Sequence, residues 1–201
     1  MTSPVTGSAT LMDRVWPAES TSAKILRNVV LVLAGTALIA ISSKILVPFW
    51  PVHMTMQTAV IMIIAAAYGW RLGTLTVIAY LVEGAMGLPV FTGTPAKGIG
   101  IAYMLGSTGG YLLGFVALAF VVGWAAERGF DRRPVMLTGA MLVGEVIMYA
   151  LGIFWLGYLM GWDKPILEWG LYPFLAAEVV KIALAVAAVS LGWRVFRGIR
   201  G

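Results

Sequence analysis

The twenty residues from Asn28 to Val47 carry one charge, Lys44, and an α-helix needs roughly 20 apolar residues to cross the hydrocarbon core of a bilayer. Runs of this kind recur along the chain. Pro48 and Pro51 stop the first and force an irregular VPFWPVH segment, because proline cannot donate to a helix ladder. Met54 to Trp70 is a second run. A GWRLG turn around Arg71 divides it from a third, Leu72 to about Met86, so the two form an antiparallel hairpin. A fourth spans about Ser107 to Ala126, a fifth about Val135 to Met160 and a sixth about Tyr172 to Trp193. The expected fold class is an all-α integral membrane protein, a six-transmembrane-helix bundle. Because the second and third runs meet at Gly69 to Gly73, five spans is the competing count.

Composition agrees. Hydrophobic residues make up 60% of the chain and charged residues 11%, with a mean hydropathy of +0.91; a soluble domain carries about a quarter charged residues. Residues 1–23 are mixed polar and small, without the apolar h-region of a cleavable signal. They read as a flexible cytoplasmic tail, with 24–201 as a single membrane domain. The absence of cysteine rules out disulfides and thiolate metal sites, and one histidine, His53, makes no zinc cluster. No P-loop, H-E-x-x-H or G-x-S-x-G is present, so no catalytic residue, metal or resident cofactor is expected, and the chain is not read as an enzyme. The charge of +5 reflects its distribution along the membrane and not a nucleic-acid partner.

That distribution sets the orientation. With six spans, ten of the fourteen basic residues fall on the side that holds both termini and the Arg71 and ERGFDRR loops. The opposite side holds Lys44, Lys97 and Lys164. The positive-inside rule then places both termini in the cytoplasm and favours an even number of crossings. The outward loops, VPFWPVH, GLPVFTGTPAKGIG and GWDKPILEWG, carry Pro, Gly and aromatics.

Ionisable residues within the runs mark candidate sites, since a charge at membrane depth is costly and usually faces a pathway or pocket. Glu178 and Lys181 stand at i and i+3 in the sixth run, on one helix face. They read as a ligand-binding pair, or else as an internal ion pair, although desolvation often cancels the attraction between such partners. Glu83, near the outer end of the third run, either reaches interfacial water or joins the site. Glu145 is more central, as structural glue or as a site residue. Gln57 offers donor and acceptor together, suited to an amide- or urea-like ligand. Tyr111 and Tyr149, with Trp155 and Tyr158, read as pocket walls with polar tips or as packing.

Several segments, in order, resemble the BioY family: VPFWPVHMTMQT (47–58), GLPVFTG (87–93), GSTGGYLLGF (106–115) and EVVK (178–181). That family is the biotin-binding S component of energy-coupling-factor transporters. The last-helix pattern there is D-x-x-K, and this chain carries Glu178 at the acid position, one methylene longer. The resemblance implies an outward-facing pocket in a bacterial or archaeal cytoplasmic membrane. It also implies high-affinity biotin binding, and import driven by a transmembrane coupling protein (T component) and ABC-type ATPases.

The residues it puts against biotin are Glu178 and Lys181; Gln57, Glu83, Gly93, Tyr111 and Tyr149 are the further residues expected to bind the substrate. Glu178 would accept a ureido N–H, and Lys181 would meet either the ureido oxygen or the valerate carboxylate. Residues Gly87 to Gly100 would act as a lid. The first-helix face with Thr36 and Ala40 would meet the coupling protein. Other readings are an S component for a different vitamin, a self-sufficient proton-coupled carrier, or a structural membrane subunit.

Overall fold

The protein is described from a computed structural model covering residues 9–48, 50–96 and 98–200, with 199 and 200 by backbone alone. Phe49 and Lys97, both placed on outward loops by the charge pattern, lie outside the described residues, as do residues 1–8.

Eleven elements follow one another among the described residues. Helix α1 (Leu11–Val15) precedes the long α2 (Thr21–Lys44). A two-stranded ribbon, β1 (Leu46–Val47) with β2 (Met54–Thr55), pairs antiparallel with Leu46 opposite Thr55. Then come α3 (Gln57–Ala85), α4 (Gly100–Met104), α5 (Gly109–Ala126), a 3-10 turn at Phe130–Arg132, α6 (Pro134–Met160), α7 (Ile166–Gly170) and α8 (Tyr172–Arg200). The ribbon is the one departure from an all-helical chain among these residues. It brackets the expected irregular VPFWPVH segment, whose described residues from Pro48 to His53 lie outside any helix or strand.

Five helical segments are long and apolar enough to cross a membrane by length and composition: Thr21–Lys44, Gln57–Ala85, Gly109–Ala126, Pro134–Met160 and Ile166–Gly198. One of the five is folded back on itself. Gly69 sits at φ 81°, ψ 175° in the middle of α3, a conformation that costs glycine little and other residues much. The chain reverses there. A Cβ built on Gly73 would lie 2.9 Å from the Ala65 Cα, although eight residues of straight helix would separate the two by about 12 Å. Residues 57–68 and 70–85 are therefore two antiparallel limbs. At the reversal, Glu127 accepts the Trp70 N–H at 3.2 Å, satisfying one of the donors that a new helix start leaves open.

The limbs of α3 pack on α5, which packs in turn on α6. Small residues make this possible: a Cβ on Gly114 would meet Met148 at 2.7 Å, and one on Gly144 would meet Leu118 at 2.6 Å. Between helices in lipid, close backbone approach supplies the contact energy that a hydrophobic drive cannot. Ile61, Met62, Leu118, Met141 and Met148 fill the interior, while Leu33, Leu38, Ile41, Val179, Leu184 and Leu191 face outward.

Two expectations change. Thr36 is buried at 3% exposure and its hydroxyl donates to Leu33 O, so it presents no docking face; Ala34, Ala37, Leu38 and Ile41 form the outer stripe of α2 instead. Residues 9 to 23, expected within a flexible tail, include α1, closed by a capping box between Thr10 and Asp13, with Leu11 buried. Leu11 packs near Gly192 of α8, so an apolar anchor holds this part of the segment against the bundle.

Candidate functional site

One end of the bundle gathers the ribbon, residues 86–96 and 98–108, and α7 beside a cavity. Its walls are apolar and aromatic, from Val52, Tyr103, Tyr111, Leu112, Phe115, Met148, Tyr149 and Phe174. Against them stands a small set of convergent polar groups. Apolar walls with a few convergent polar groups are typical of a small-molecule site.

The first polar group is built around Glu178 on α8. Its Oε1 accepts from Lys181 Nζ at 2.8 Å and from the Tyr149 hydroxyl at 3.0 Å; its Oε2 accepts from Thr58 Oγ1 at 2.9 Å. Glu178 is 6% exposed and Lys181 4%. Helical spacing puts the acid and the lysine on one face. Thr58, from the first limb of α3, and Tyr149, from α6, bring the other two donors. Three helices thus converge on one carboxylate. Removing two charges from water costs several kcal/mol per ion, and the hydroxyls repay part of it. Lys181 keeps N–H capacity, since an ammonium has three donors and only Glu178 takes one among the described residues.

The second group is built around Gln57 at the start of α3. Its Nε2 donates to the Tyr80 hydroxyl at 2.8 Å, and its Oε1 accepts from Thr92 at 3.1 Å and Thr55 at 3.2 Å. Tyr80 passes its own proton to Val90 O at 3.2 Å. The 88–94 segment is tied down from α2 as well. Ser43 Oγ bonds Val90 O at 2.8 Å, and Lys44 Nζ bonds Pro89 O at 2.8 Å and Phe91 O at 2.7 Å. Phe91 stacks on Tyr103 with ring centroids 4.9 Å apart. Lys44, exposed at the end of α2, thereby clamps the segment that covers the cavity. Tyr103, outside the long helices, is held above the ordinary phenol range by burial, so it stays a neutral donor and acceptor.

Of the residues expected at the site, Glu178, Lys181, Gln57, Tyr149 and Tyr111 line the cavity, whereas Glu83 and Gly93 do not. Glu83 is half-buried near the end of α3. Gly93, at φ 73°, supplies the left-handed residue of a turn closed by Thr94 N and Phe91 O at 3.3 Å, a position that favours glycine. Tyr111 contributes its ring, because its hydroxyl is committed to Gly170 O at 2.8 Å. Gly152 leaves room for that ring: a Cβ there would overlap it. Sequence reasoning did not find Thr58, Tyr80, Thr92 or Ser43. Thr58 adjoins Gln57, but a threonine or tyrosine in an apolar run carries no signal until the fold supplies its partner. Among the described residues no group of three or more His, Cys, Asp or Glu side chains could hold a metal ion.

A helical membrane-type fold with a mostly apolar pocket, entered at one end and floored by a buried ion pair, defines a small-molecule-binding membrane protein. The chain belongs to the BioY family, whose model matches residues 12–198. It is 38% identical over 157 residues to a biotin transporter BioY of Thermotoga maritima, covering 77% of this chain and 90% of that one. A biotin transporter BioY of Rhodobacter capsulatus is 37% identical over 173 residues, covering 79% and 88%. Among solved structures, the S-component for biotin from an ECF-type ABC transporter superposes with a TM-score of 0.65 at 25% identity, covering 91% of this chain and 95% of that one. These relatives are transporters, not enzymes.

Proposed function

We propose that this protein is the biotin-binding S component of an ECF-type uptake transporter, capturing biotin at the extracytoplasmic face for import driven by a T component and ABC-type ATPases. The observation that carries the ligand is the Glu178 and Lys181 pair, 2.8 Å apart on the wall of an apolar cavity. Side chains so close touch the same end of a ligand. A ureido ring brings two N–H donors and one carbonyl; Glu178 accepts an N–H and Lys181 donates to the carbonyl. Tyr111, Tyr149 and Phe174 cover the thioether ring.

The topology follows from two supports. The reversal at Gly69 divides the Gln57–Ala85 segment, so six stretches cross the bilayer in a single domain over 24–201. The arginines of the 128–133 loop lie at the end opposite the cavity, which the positive-inside rule assigns to the cytoplasm. Biotin then enters beneath the Pro- and Gly-rich loops of a bacterial or archaeal cell membrane, and reorientation of the bundle exposes it to the other side. Residues 9–23 lie at the cytoplasmic end.

Tryptophan fluorescence titration of the purified protein tests the ligand. Saturable binding of biotin and of desthiobiotin, which keeps the ureido ring, is the expected result. Lipoate, which keeps the acyl chain and lacks the ureido group, should not compete. Saturable binding of another vitamin in place of biotin, or competition by lipoate alone, would overturn the assignment.

A further inference from the structure

The ligand proposed above has two polar ends, and the site as described accounts for one of them. With the ureido ring held between Glu178 and Lys181, the carboxylate of the acyl chain brings a second charge into a mostly apolar cavity. A buried charge without a partner is strongly unfavourable. Two further hollows adjoin the cavity. One shares Thr55 and Lys181 with it and is otherwise lined by apolar side chains, among them Val47, Val180 and Leu184, which are exposed on the outside of the bundle. It offers a carboxylate no cation beyond the lysine already paired with Glu178. The other hollow shares His53, Tyr103 and Thr108 with the cavity and continues to Pro51, Gly106 and Ser107. Neither Glu178 nor Lys181 lines it, so it lies away from the ureido end.

His53 sets this second hollow apart. Among the described residues that line it or the cavity, Lys181 and His53 are those able to carry a positive charge, and Lys181 belongs to the ureido end. The chain fixes His53 from both sides. Val52 before it is 5% exposed, and Pro51 O accepts from Ser107 Oγ at 3.0 Å, which ties this turn to the residues just ahead of α5. After it, Met54 pairs with Val47 across the ribbon, and the Met56 N–H donates to Ile45 O at 3.2 Å. The side chain itself is half-buried where the two hollows meet. We propose that His53 receives the carboxylate of the ligand, so that the acyl chain runs from the cavity toward the second hollow and the site selects the free acid over uncharged derivatives. An imidazole keeps an N–H donor in either protonation state and adds a full charge when protonated. The Tyr103 ring, stacked on Phe91, gives the methylenes of the chain an apolar wall. This rests on the ureido reading of the site given above.

The test measures Kd for biotin and for biotinol, in which an uncharged alcohol replaces the acid, in the unaltered protein, His53→Leu and His53→Lys. If the unaltered protein binds neither, the ureido reading falls, and the role of His53 falls with it. Saturable binding of both is expected, with biotin tighter by about tenfold or more, the worth of one hydrogen bond to a charged group. His53→Leu should lose that margin by weakening biotin while leaving biotinol unchanged, and the retained biotinol affinity shows that the variant folds. His53→Lys should restore a preference for biotin. Equal affinity for the two ligands in the unaltered protein overturns the proposal. So does an unchanged preference in His53→Leu, or an equal loss of both ligands in both variants, which would mark His53 as structural.

Discussion

At the end of the bundle where the loops are rich in Pro and Gly, buried polar side chains surround an open space; at the arginine-rich end they close the chain on itself. Glu178, Lys181, Gln57, Tyr80 and Thr92 stand around the cavity with donors and lone pairs to spare. At the other end, Glu127 holds the Trp70 N–H, Trp193 Nε1 donates to Asp131 Oδ2 at 2.8 Å, and Arg132 bonds Ala9 O at 3.2 Å with its guanidinium 4.8 Å from the Trp193 ring. Arg27 bridges to Asp13 at 3.1 Å and bonds Trp16 O at 3.0 Å. The same residue types serve two ends. What differs is whether they face an open space or cross-link the chain, and that difference separates recognition from closure.

The sharpest way to break the contrast is to remove one member of the cavity pair. Glu178→Ala leaves Lys181 buried without a carboxylate, and truncating one side of a buried pair costs about 3–5 kcal/mol. A fall in melting temperature of several degrees and loss of measurable biotin binding are expected. Glu178→Leu combined with Lys181→Met should recover much of the stability and none of the binding. Were the double variant as unstable as Glu178→Ala, the pair would be a structural element like those at the closed end. Isothermal titration and a thermal melt read both quantities.

Next in size is the wall. Gly152→Ala pushes a methyl into the Tyr111 ring, and overpacking costs roughly 1–3 kcal/mol. With Tyr111 tethered to Gly170 O, the ring shifts toward the cavity, so biotin affinity should fall about tenfold while the helical content by circular dichroism stays the same. The cover comes after it. Lys44→Met removes the bonds to Pro89 O and Phe91 O, worth about 1 kcal/mol each at a partly exposed site. Release should quicken several-fold in a stopped-flow chase, with a smaller fall in melting temperature than for Glu178→Ala. An unchanged release rate would mean that the 88–94 segment does not gate the cavity.

Much of this was legible before any coordinates. The apolar runs located the long helices, and an acid and a lysine three residues apart within one of them marked the site, because lipid makes such residues conspicuous. The chain reversal at Gly69 was readable from GWRLG, since a glycine flanking an arginine interrupts an apolar run. Thr58, Tyr80 and Thr92 were not readable. A hydroxyl costs little in an apolar run, and its role depends on a partner up to 120 residues away, as with Thr58 and Glu178. The partners of Lys44 were unreadable for the same reason: the carbonyls it holds belong to a loop some 45 residues on. Thr36 shows the opposite error, a small residue assigned to a surface when helix rotation, invisible in a uniformly apolar run, turns it inward.

The closed end makes the smallest and most specific prediction. Asp131 is 2% exposed, accepts from Trp193 through Oδ2, and has no partner for Oδ1 among the described residues. Burial raises its carboxyl above the ordinary value of 3.8, against the opposing pull of the Trp193 bond and of Arg132. An acid with a raised value in the folded state binds more protons folded than unfolded, so its contribution to stability is present in full below pH 3.8 and is lost as pH rises through the folded value. The cavity-end acid is paired in a salt bridge, whereas the side-chain donor to Asp131 is the neutral Trp193 N–H. Melting temperatures taken from pH 3.5 upward should therefore decline across this window in the unaltered protein. In Asp131→Asn, which keeps an acceptor for Trp193, that decline should vanish. Trp193→Phe removes a bond that opposes the rise, so it should extend the decline to higher pH and lower stability by about 1 kcal/mol or more where Asp131 is ionised. A decline that survives Asp131→Asn would move its origin to the other buried acids, and the closed end would then contribute packing and no titratable charge to the bundle.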